Sequence, residues 1–223
     1  MNYTQLSNAI QAYTENTEAD FVSNIPVFVT QAEQRIYNSV QFPSIRKNVT
    51  GVVSTTSNYL AAPDDYLATY SLAVVDATGA YEYLLNKDVN FIRQAYPDPT
   101  ETGLPRYYAL FGPTVSGSTI TDELTFLIGP KPDANYTVEL HYYYYPESIT
   151  VAADGRTWLG DNFDTVLLYA SLVEAYTYMK GEPDMMQLYN QKFMEALALA
   201  KRLGDGMERQ DAYRSGQFRQ KVT

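Results

Sequence analysis

The chain of 223 residues contains no cysteine and only one histidine. Without thiols it cannot form disulfide bonds, use a thiolate nucleophile or bind zinc through cysteine. A single histidine leaves carboxylates as the main ligands for any metal, and no carboxylates follow the spacing of a calcium-binding loop. The composition therefore predicts a protein without a metal or another cofactor.

Basic residues are scarce as well: 16 lysines and arginines stand against 26 aspartates and glutamates, which gives a net charge of −10. A protein of this charge repels a phosphate backbone, so binding of nucleic acid through its phosphates is not expected. No apolar run approaches the roughly 20 residues that span a bilayer. The stretch "MNYTQLSNAI" lacks the basic and apolar regions of a secretory signal, so neither a membrane partner nor export is expected.

Motifs for catalysis are missing too, because the sequence has no G-x-S-x-G elbow, no P-loop and no G-x-G-x-x-G turn. The only imidazole, His141, lies in an alternating strand pattern, where a histidine with structural contacts is more common than a catalytic base. Two adjacent acidic pairs, Asp64-Asp65 and Asp122-Glu123, are typical of turns, since neighbouring strand residues point to opposite faces. We therefore expect a protein that is not an enzyme.

Residues 1–45 show helical periodicity. Leu6, Ile10 and Tyr13 indicate a short first helix. A second helix is expected to begin after a cap at Asn24, with Pro26 close to its first position. Its apolar stripe at helical spacing consists of Val29, Ala32, Ile36 and Val40.

From residue 46 to residue 146 the pattern changes to short β-branched and aromatic runs, separated by turns rich in Gly, Pro, Asn and Asp. The runs are "VTGVVS", "YLATYSLAVV", "YEYLL", "RYYALF", "LTFLI" and "YTVELHYYYY". This density of strands and turns predicts an antiparallel sheet or a small sandwich. The stretch "KDVNFIRQAY" is an exception, where Asp88 is expected to cap a short helix.

Helical periodicity returns after residue 146. The stretch "LGDNFDTVLLYASLVEAYTYMK" predicts one long helix capped near Asp161. Gly181 is expected to end it, Pro183 to break the chain and Asp184 to cap a following helix. The two helices should form a hairpin that ends at Gly204.

These patterns predict an α+β fold with three parts. Residues 1–45 and 147–205 form a helical body, residues 46–146 form an inserted β-rich domain, and residues 206–223 form an extended C-terminal arm. The segment "AYRSGQFRQKVT" carries only basic charges in an acidic chain, which favours an arm that docks on a partner. A frayed, solvated terminus is the alternative. The arm's candidate binding residues are Met207, Arg209, Tyr213, Arg214, Phe218, Arg219 and Lys221.

The run "LHYYYYPESI" places four tyrosines, Tyr142, Tyr143, Tyr144 and Tyr145, side by side. Along a strand, two of them face each side. A carbohydrate platform would use one side only, with Tyr96, Tyr107 and Tyr108 as further candidates. A strand with one face on the core and the other on a neighbouring subunit accounts for all four, because tyrosine is common at protein interfaces. The four residues are therefore candidates for a subunit interface.

Several stretches in order also resemble a known family. They are "NIPVFVTQAEQRIYNSVQFPSIRKNVTG", "YLAAPDDYLATYSLAV", "TGLPRYYALFG", "YTVELHYYYYPESI", "TWLGDNFDTVLLYASLVEAYTYMKGEPD" and "QKFMEALALAKRL". Together they resemble the head-to-tail adaptor, or connector, proteins of tailed bacteriophages, similar to tail-tubular or gatekeeper-like portal adaptors. The family often has Asn before the Trp-Leu pair, whereas this chain has Thr157 before Trp158.

The resemblance implies a structural virion protein without catalytic activity. Such proteins form a ring of about twelve copies that joins the capsid portal to the tail and lines the DNA channel. The implied partners are the portal protein and a tail protein, either a nozzle or a tail-terminator or sheath-side protein. Genome DNA would pass without sequence-specific binding. The implied location is the virion neck, with assembly in the host cytoplasm. A carbohydrate-binding or tail and baseplate module that uses the Tyr-rich β region is the alternative.

Overall fold

The structure, a computed structural model, describes the backbone of residues 1–98, 100–116, 119–122 and 124–214. Its description of side chains leaves out residues 43, 114–122 and 204–214. The fold is α+β, as predicted. Contacts divide the chain into two compact units, which we name the helical unit (Met1–Ile45 with Tyr145–Thr223) and the β unit (Arg46–Tyr144).

The described residues contain six α-helices and a short 3-10 turn. They are α1 (Tyr3–Thr14), α2 (Ala19–Ser39), the 3-10 turn (Pro43–Ile45), α3 (Val89–Ala95), α4 (Trp158–Asn162), α5 (Asp164–Met179) and α6 (Pro183–Arg214). The helix α3 belongs to the β unit, and the other five belong to the helical unit.

The described residues of the β unit form ten strands. They are β1 (Arg46–Val53), β2 (Tyr59–Ala61), β3 (Ala68–Val75), β4 (Tyr81–Tyr83), β5 (Leu85–Asn86), β6 (Tyr107–Phe111), β7 (Thr114–Ser116), β8 (Thr119–Asp122), β9 (Thr125–Gly129) and β10 (Tyr136–Tyr143). One sheet has the order β1-β10-β3-β4 and a second has the order β2-β9-β6-β5. The strands β7 and β8 form a separate hairpin.

The two four-stranded sheets pack face to face as a sandwich. Inward side chains of both sheets meet in one cluster, with Leu140 and Tyr142 from the first sheet and Phe126 and Ile128 from the second. The alternation of buried and less buried residues along β10 shows why the sequence forms a strand here. The predicted sandwich is confirmed, although one pair of strands, β5 and β6, is parallel.

The helix α2 begins earlier than the sequence indicates. It starts at Ala19 rather than after Asn24, so Pro26 lies inside the helix and the predicted cap is wrong. Proline lacks the N–H that would bond one turn back, which weakens a helix locally. The buried side chains Phe21 and Ile25 precede the proline and extend the apolar stripe through it, so packing overrides this cost.

The segment before α5 also differs from the prediction of one long helix capped near Asp161. Thr157 caps α4, because its side chain accepts a hydrogen bond from the N–H of Gly160. Phe163 then leaves the helical conformation and separates α4 from α5. Its ring lies 5.0 Å from Phe42 and 5.4 Å from Trp158, which stabilises the break.

The hairpin of α5 and α6 is confirmed, but its details change. Lys180 adopts the left-handed conformation that ends α5, and the N–H of Gly181 donates to the carbonyl of Tyr176 at 3.0 Å. Pro183 is the first residue of α6, so Asp184 lies in the first turn rather than capping it. The helix continues past Gly204 to Arg214, so the predicted end is wrong and the backbone of residues 206–214 is helical.

Candidate interaction surfaces

The tyrosine run is divided between several environments, and Tyr142 lies in the core of the sandwich. It is 1% exposed, its ring stacks on Tyr66 at 6.0 Å, and its hydroxyl donates to Asp65 at 2.7 Å. The other oxygen of Asp65 accepts from Lys47 at 2.7 Å. This side chain fills the interior of the β unit, so it is not accessible to a partner.

The Asp65 carboxylate is held in its charged form. Burial works to raise its pKa, but hydrogen bonds from Lys47 and Tyr142 outweigh burial, so the pKa of Asp65 lies below its usual value. The hydrogen bond to Asp65 raises the pKa of Lys47. Burial and the neighbouring carboxylate both raise the pKa of Tyr142. The three groups therefore form a structural network at the rim of the sandwich.

The other three tyrosines occupy different surroundings. Tyr143 lies on the outer face of β10, edge-on to Tyr70 at 6.0 Å, and the Arg46 guanidinium lies 5.7 Å from its ring. Tyr144 is half-buried against the sandwich core. Tyr145 belongs to the helical unit, where its hydroxyl donates to Asn38. Tyr143 and Tyr145 keep exposed surface, and the role of the run as a subunit interface stays a prediction.

The outer face of the first sheet carries more tyrosines than the run alone. Tyr70, Tyr81 and Tyr83 are 57%, 53% and 65% exposed. Register places Tyr83 opposite Ala73, which is only 4% exposed. Sequence analysis missed these three residues, although the Y-x-Y spacing of Tyr81 and Tyr83 is the signal of a common face.

His141, the only imidazole, also lies on this outer face. Its Nδ1 is 3.2 Å from the Ser71 hydroxyl and its Nε2 is 3.7 Å from the Glu139 carboxylate. A serine, a histidine and a carboxylate in contact are the components of a catalytic triad. In that triad, however, Nε2 faces the serine and Nδ1 the carboxylate, whereas here the two nitrogens are exchanged. Asn48 also donates to Glu139 at 2.8 Å, so the cluster fits a cross-strand polar network.

The second sheet borders an open cleft of about 570 Å³. Tyr59 and Phe111, which are 51% and 56% exposed, line it together with Arg93. Exposed rings beside a cation and hydroxyl groups are the elements of a ligand site for planar or sugar-like groups. No cluster of three or more potential metal ligands occurs in the part of the chain that the structure describes.

The helical unit has an apolar flank on α6. Buried residues such as Tyr189 and Phe193 face the other helices of the unit. Beside them, Leu188, Leu199 and Leu203 are 44%, 66% and 49% exposed. Their spacing places the three leucines on one side of the helix. This α6 flank is therefore an uncovered aliphatic surface in the subunit.

One acidic side chain is enclosed in the helical unit. Glu33 of α2 is 2% exposed, and its Oε1 accepts from the N–H of Ile149 at 3.0 Å. Within the described residues its Oε2 makes no hydrogen bond. Burial raises the pKa of Glu33, and the Ser148 hydroxyl and the Ile149 N–H offset this only in part. Glu33 therefore fixes the segment that follows Tyr145, at the cost of a buried carboxyl group.

The residues of the predicted arm lie mostly beyond what the structure describes. Phe218, Arg219 and Lys221 are outside the described residues. The backbones of Met207, Arg209, Tyr213 and Arg214 belong to the last turns of α6, whereas their side chains are outside the description. The expectation of an extended backbone from residue 206 is therefore wrong up to Arg214.

These features define a class of protein: an α+β protein with exposed aromatic and aliphatic surfaces. Residues 1–220 match the model of a family described as SU10 adaptor protein. The chain belongs to this SU10 adaptor family, and the resemblance to phage head-to-tail adaptors is confirmed. No curated protein matches the chain.

Membership makes the chain a bacteriophage structural adaptor protein, in a family that is not one of enzymes. It implies contacts with other head and tail proteins and a place in the virion. None of the helices in the described ranges has both the length and the apolar character needed to cross a bilayer.

Proposed function

We propose that this chain forms a ring, of about twelve copies, that joins the capsid portal to the tail and encloses a channel for the genome. The match of residues 1–220 to the adaptor family carries this proposal. The net charge of −10 supports a channel wall that does not bind DNA phosphates. In this arrangement residues 1–45 and 147–205 act as the adaptor body, residues 46–146 as an inserted domain and residues 206–223 as an arm.

The portal-binding surface combines the α6 flank with the arm. The flank offers aliphatic area, since Leu199 alone is 66% exposed. The arm adds basic and aromatic side chains in an acidic chain, and arginine forms paired hydrogen bonds with carboxylates on a partner. The portal-binding residues of the arm are Met207, Arg209, Tyr213, Arg214, Phe218, Arg219 and Lys221.

The neighbouring copies of the ring contact the outer face of the first sheet. Tyr143 is at its centre, with Tyr70, Tyr81 and Tyr83 around it. Tyrosine suits such a surface because its ring buries area while its hydroxyl remains hydrogen-bonded. Tyr144 and Tyr145 belong to the same set of candidates, while Tyr142 supports the strand from the core.

The decisive experiment is electron microscopy of the purified protein mixed with the portal protein of its virion. Rings stacked on the portal are the expected result. Monomers that stay apart from the portal at micromolar concentrations would contradict the proposed function.

The arm is tested by deleting residues 215–223, which leaves the described end of α6 intact. We expect an unchanged melting temperature and at least a tenfold loss of portal affinity. The double variant Arg219→Glu, Lys221→Glu keeps the length of the arm and should show the same loss if charge matters. Full portal binding by the deletion variant would reject the arm.

The absence of catalysis is a further part of the proposal, and the Ser71–His141–Glu139 cluster offers a sharp test. The purified protein should not react with a fluorophosphonate probe and should not hydrolyse polysaccharide or peptidoglycan. Labelling that is lost in Ser71→Ala, or hydrolysis abolished by one carboxylate change, would establish an enzyme instead.

A carbohydrate-binding module is the second candidate function, favoured by the cleft with Tyr59, Phe111 and Arg93. Under this alternative, saturable binding on a glycan array should be lost in Tyr59→Ala and Phe111→Ala. Loss of glycan binding in Tyr143→Ala would instead place the sugar on the outer face of β10. The adaptor function predicts no saturable binding in any of these proteins.

A further inference from the structure

The four sheet edges of the sandwich differ in length. The edge strands β2, β4 and β5 have 3, 3 and 2 residues, whereas β1 has 8. On one side β1 pairs with β10 along its full length, and no described strand pairs with its other side. Folded proteins usually shorten or charge such edges, because unpaired backbone groups attract another strand. The part of β1 from Asn48 to Val53 contains neither charge nor proline.

Side chains along this edge are exposed as well. Val49 and Val52 are 38% and 63% exposed in the subunit. Gly51 lies between them, and a Cβ added there would meet Leu60 of β2 at 3.9 Å, an ordinary contact. The open edge of β1 can therefore accept another strand, which would pair with it as strands do inside a sheet.

The hairpin of β7 and β8, by contrast, consists of two strands that belong to neither four-stranded sheet. Its strands pair Val115 with Ile120 and Ser116 with Thr119, and neither strand pairs with a third strand in the described residues. A two-stranded hairpin is marginally stable in water by itself and gains stability when it joins a larger sheet. Its β-branched sequence, "TVS" and "TIT", has high strand propensity.

We propose that the hairpin of one copy pairs with the open edge of β1 in the next copy. This inference rests on the proposed ring and specifies how its subunits are joined. Such a contact uses two different surfaces of the same chain, so it is head-to-tail, and head-to-tail contacts generate rings when the rotation closes. We assign the hairpin to a second copy because, within one chain, the β7–β8 hairpin does not pair with β1.

Charge favours the same pairing. Arg46 and Lys47 begin β1, which contains no acid, whereas Asp122 ends β8 and Glu123 follows it in a stretch without bases. Lys47 already binds Asp65 at 2.7 Å, so its contribution to a second carboxylate is reduced. The attraction between the two elements orients the encounter, while backbone hydrogen bonds supply the contact.

Cysteine cross-linking tests the contact directly, because the native chain contains no cysteine. Two variants, Val52→Cys and Ile120→Cys, carry different tags and are produced in the same cells, so a mixed disulfide can form only between copies. We expect a mixed cross-linked dimer at several times the yield of either variant alone. A second pair, Thr50→Cys with Ser116→Cys, covers another register of the added strand.

Each alternative outcome has a definite meaning. Efficient cross-linking of Val52→Cys alone would show that β1 pairs with itself in a twofold dimer, and this overturns the proposal. No mixed cross-link by either pair, in preparations that form rings, also overturns it. If the unsubstituted protein forms no ring with or without portal, the proposed function fails rather than this contact.

A deletion provides an independent readout. Replacing residues 114–122 by a Gly-Ser link removes the hairpin and leaves both four-stranded sheets intact. The melting temperature should be kept, whereas rings should give way to monomers. Rings of unchanged size in this variant would reject the hairpin contact and leave the adaptor function standing.

Discussion

The β unit and the helical unit use their aromatic residues in different ways. In the β unit tyrosines lie on both sides of one sheet, with Tyr142 in the core and Tyr83 65% exposed outside. In the helical unit rings gather around Tyr189, which is 6% exposed and lies 5.0 Å from Tyr176, while the exposed rings of Tyr13, Tyr145 and Tyr178 lie on separate segments of the chain. Burial and the contact with Tyr176 raise the pKa of Tyr189 to about 12.

This difference shows that the two units present different chemistry to partners. The β unit exposes rings with hydroxyl groups. A partner that covers this surface can bury ring area and form hydrogen bonds with the hydroxyl groups. The helical unit exposes the aliphatic α6 flank, whose contacts depend on shape and area. Subunits that meet different partners through two such surfaces can bind each one selectively.

The largest expected effect comes from substitutions in the cores of the two units. Phe126 in the β unit and Phe193 in the helical unit are each 0% exposed. Phe126→Ala and Phe193→Ala should each lower the free energy of unfolding by about 3–5 kcal/mol, because each leaves a cavity. Urea unfolding measures this, with Phe111→Ala as an exposed control. If one variant costs less than 1 kcal/mol, the two cores are not equivalent.

A medium effect concerns the Asp65 network. Tyr142→Phe removes the hydroxyl that binds Asp65 and should cost about 1–2 kcal/mol at pH 7. The pKa of Asp65 is lowered in the folded protein, so its stabilisation is present above the unfolded pKa and is lost as pH falls through the folded pKa. The loss of stability caused by Tyr142→Phe should therefore be smaller at acidic pH.

Unfolding at several pH values measures this dependence, with Tyr144→Phe as the matched control. A cost of the same size at every pH would show that the hydroxyl does not act through Asp65.

A smaller effect, of opposite sign, is expected at Glu33. The pKa of this buried acid is raised in the folded protein, so its contribution to stability is fully present below the unfolded pKa and is lost as pH rises through the folded pKa. Glu33→Gln keeps an oxygen for the Ile149 N–H and removes the charge. We expect about 1 kcal/mol of added stability at pH 7, and less near pH 4.

Thermal unfolding across this pH range checks the prediction, with the exposed Glu182→Gln as control. A destabilised Glu33→Gln at pH 7 would indicate that the charge itself stabilises the segment after Tyr145.

The smallest effect on the isolated subunit is predicted for the exposed tyrosines. Tyr83→Ser should change the free energy of unfolding by at most about 0.5 kcal/mol, since most of its ring faces solvent. The same variant should weaken ring formation at least several-fold in sedimentation experiments. Normal assembly of the variant would remove the outer face from the proposed interface.

Much of the fold could be predicted from local patterns. The six β-rich runs all contain strands, and Asp88 caps α3 by accepting from the N–H of Asn90 at 2.7 Å. Two of the errors occur where tertiary packing overrides a local signal. Pro26 continues a helix because its neighbours are buried, and Phe163 breaks one because the rings of Phe42 and Trp158 hold it.

The candidate surfaces were less accessible to sequence analysis. Alternation predicts that Tyr142 and Tyr143 face opposite sides, but not which side is the core. The partners of Tyr143 depend on the register between β10 and β3, where a bulge lies between His141 and Tyr142. The open edge of β1 follows from the strand order, which no local pattern specifies.

The central position of β10 has a consequence for biosynthesis. This strand lies between β1 and β3, and Arg46 of β1 is paired with Tyr143 at its end. A ribosome makes β1 first, so β1 has no native partner until nearly all of the β unit has been translated. The helix α2 likewise packs on α5, which is made later still. Both units therefore close late in synthesis, and such non-local pairing slows folding and prolongs the exposure of apolar strands to aggregation.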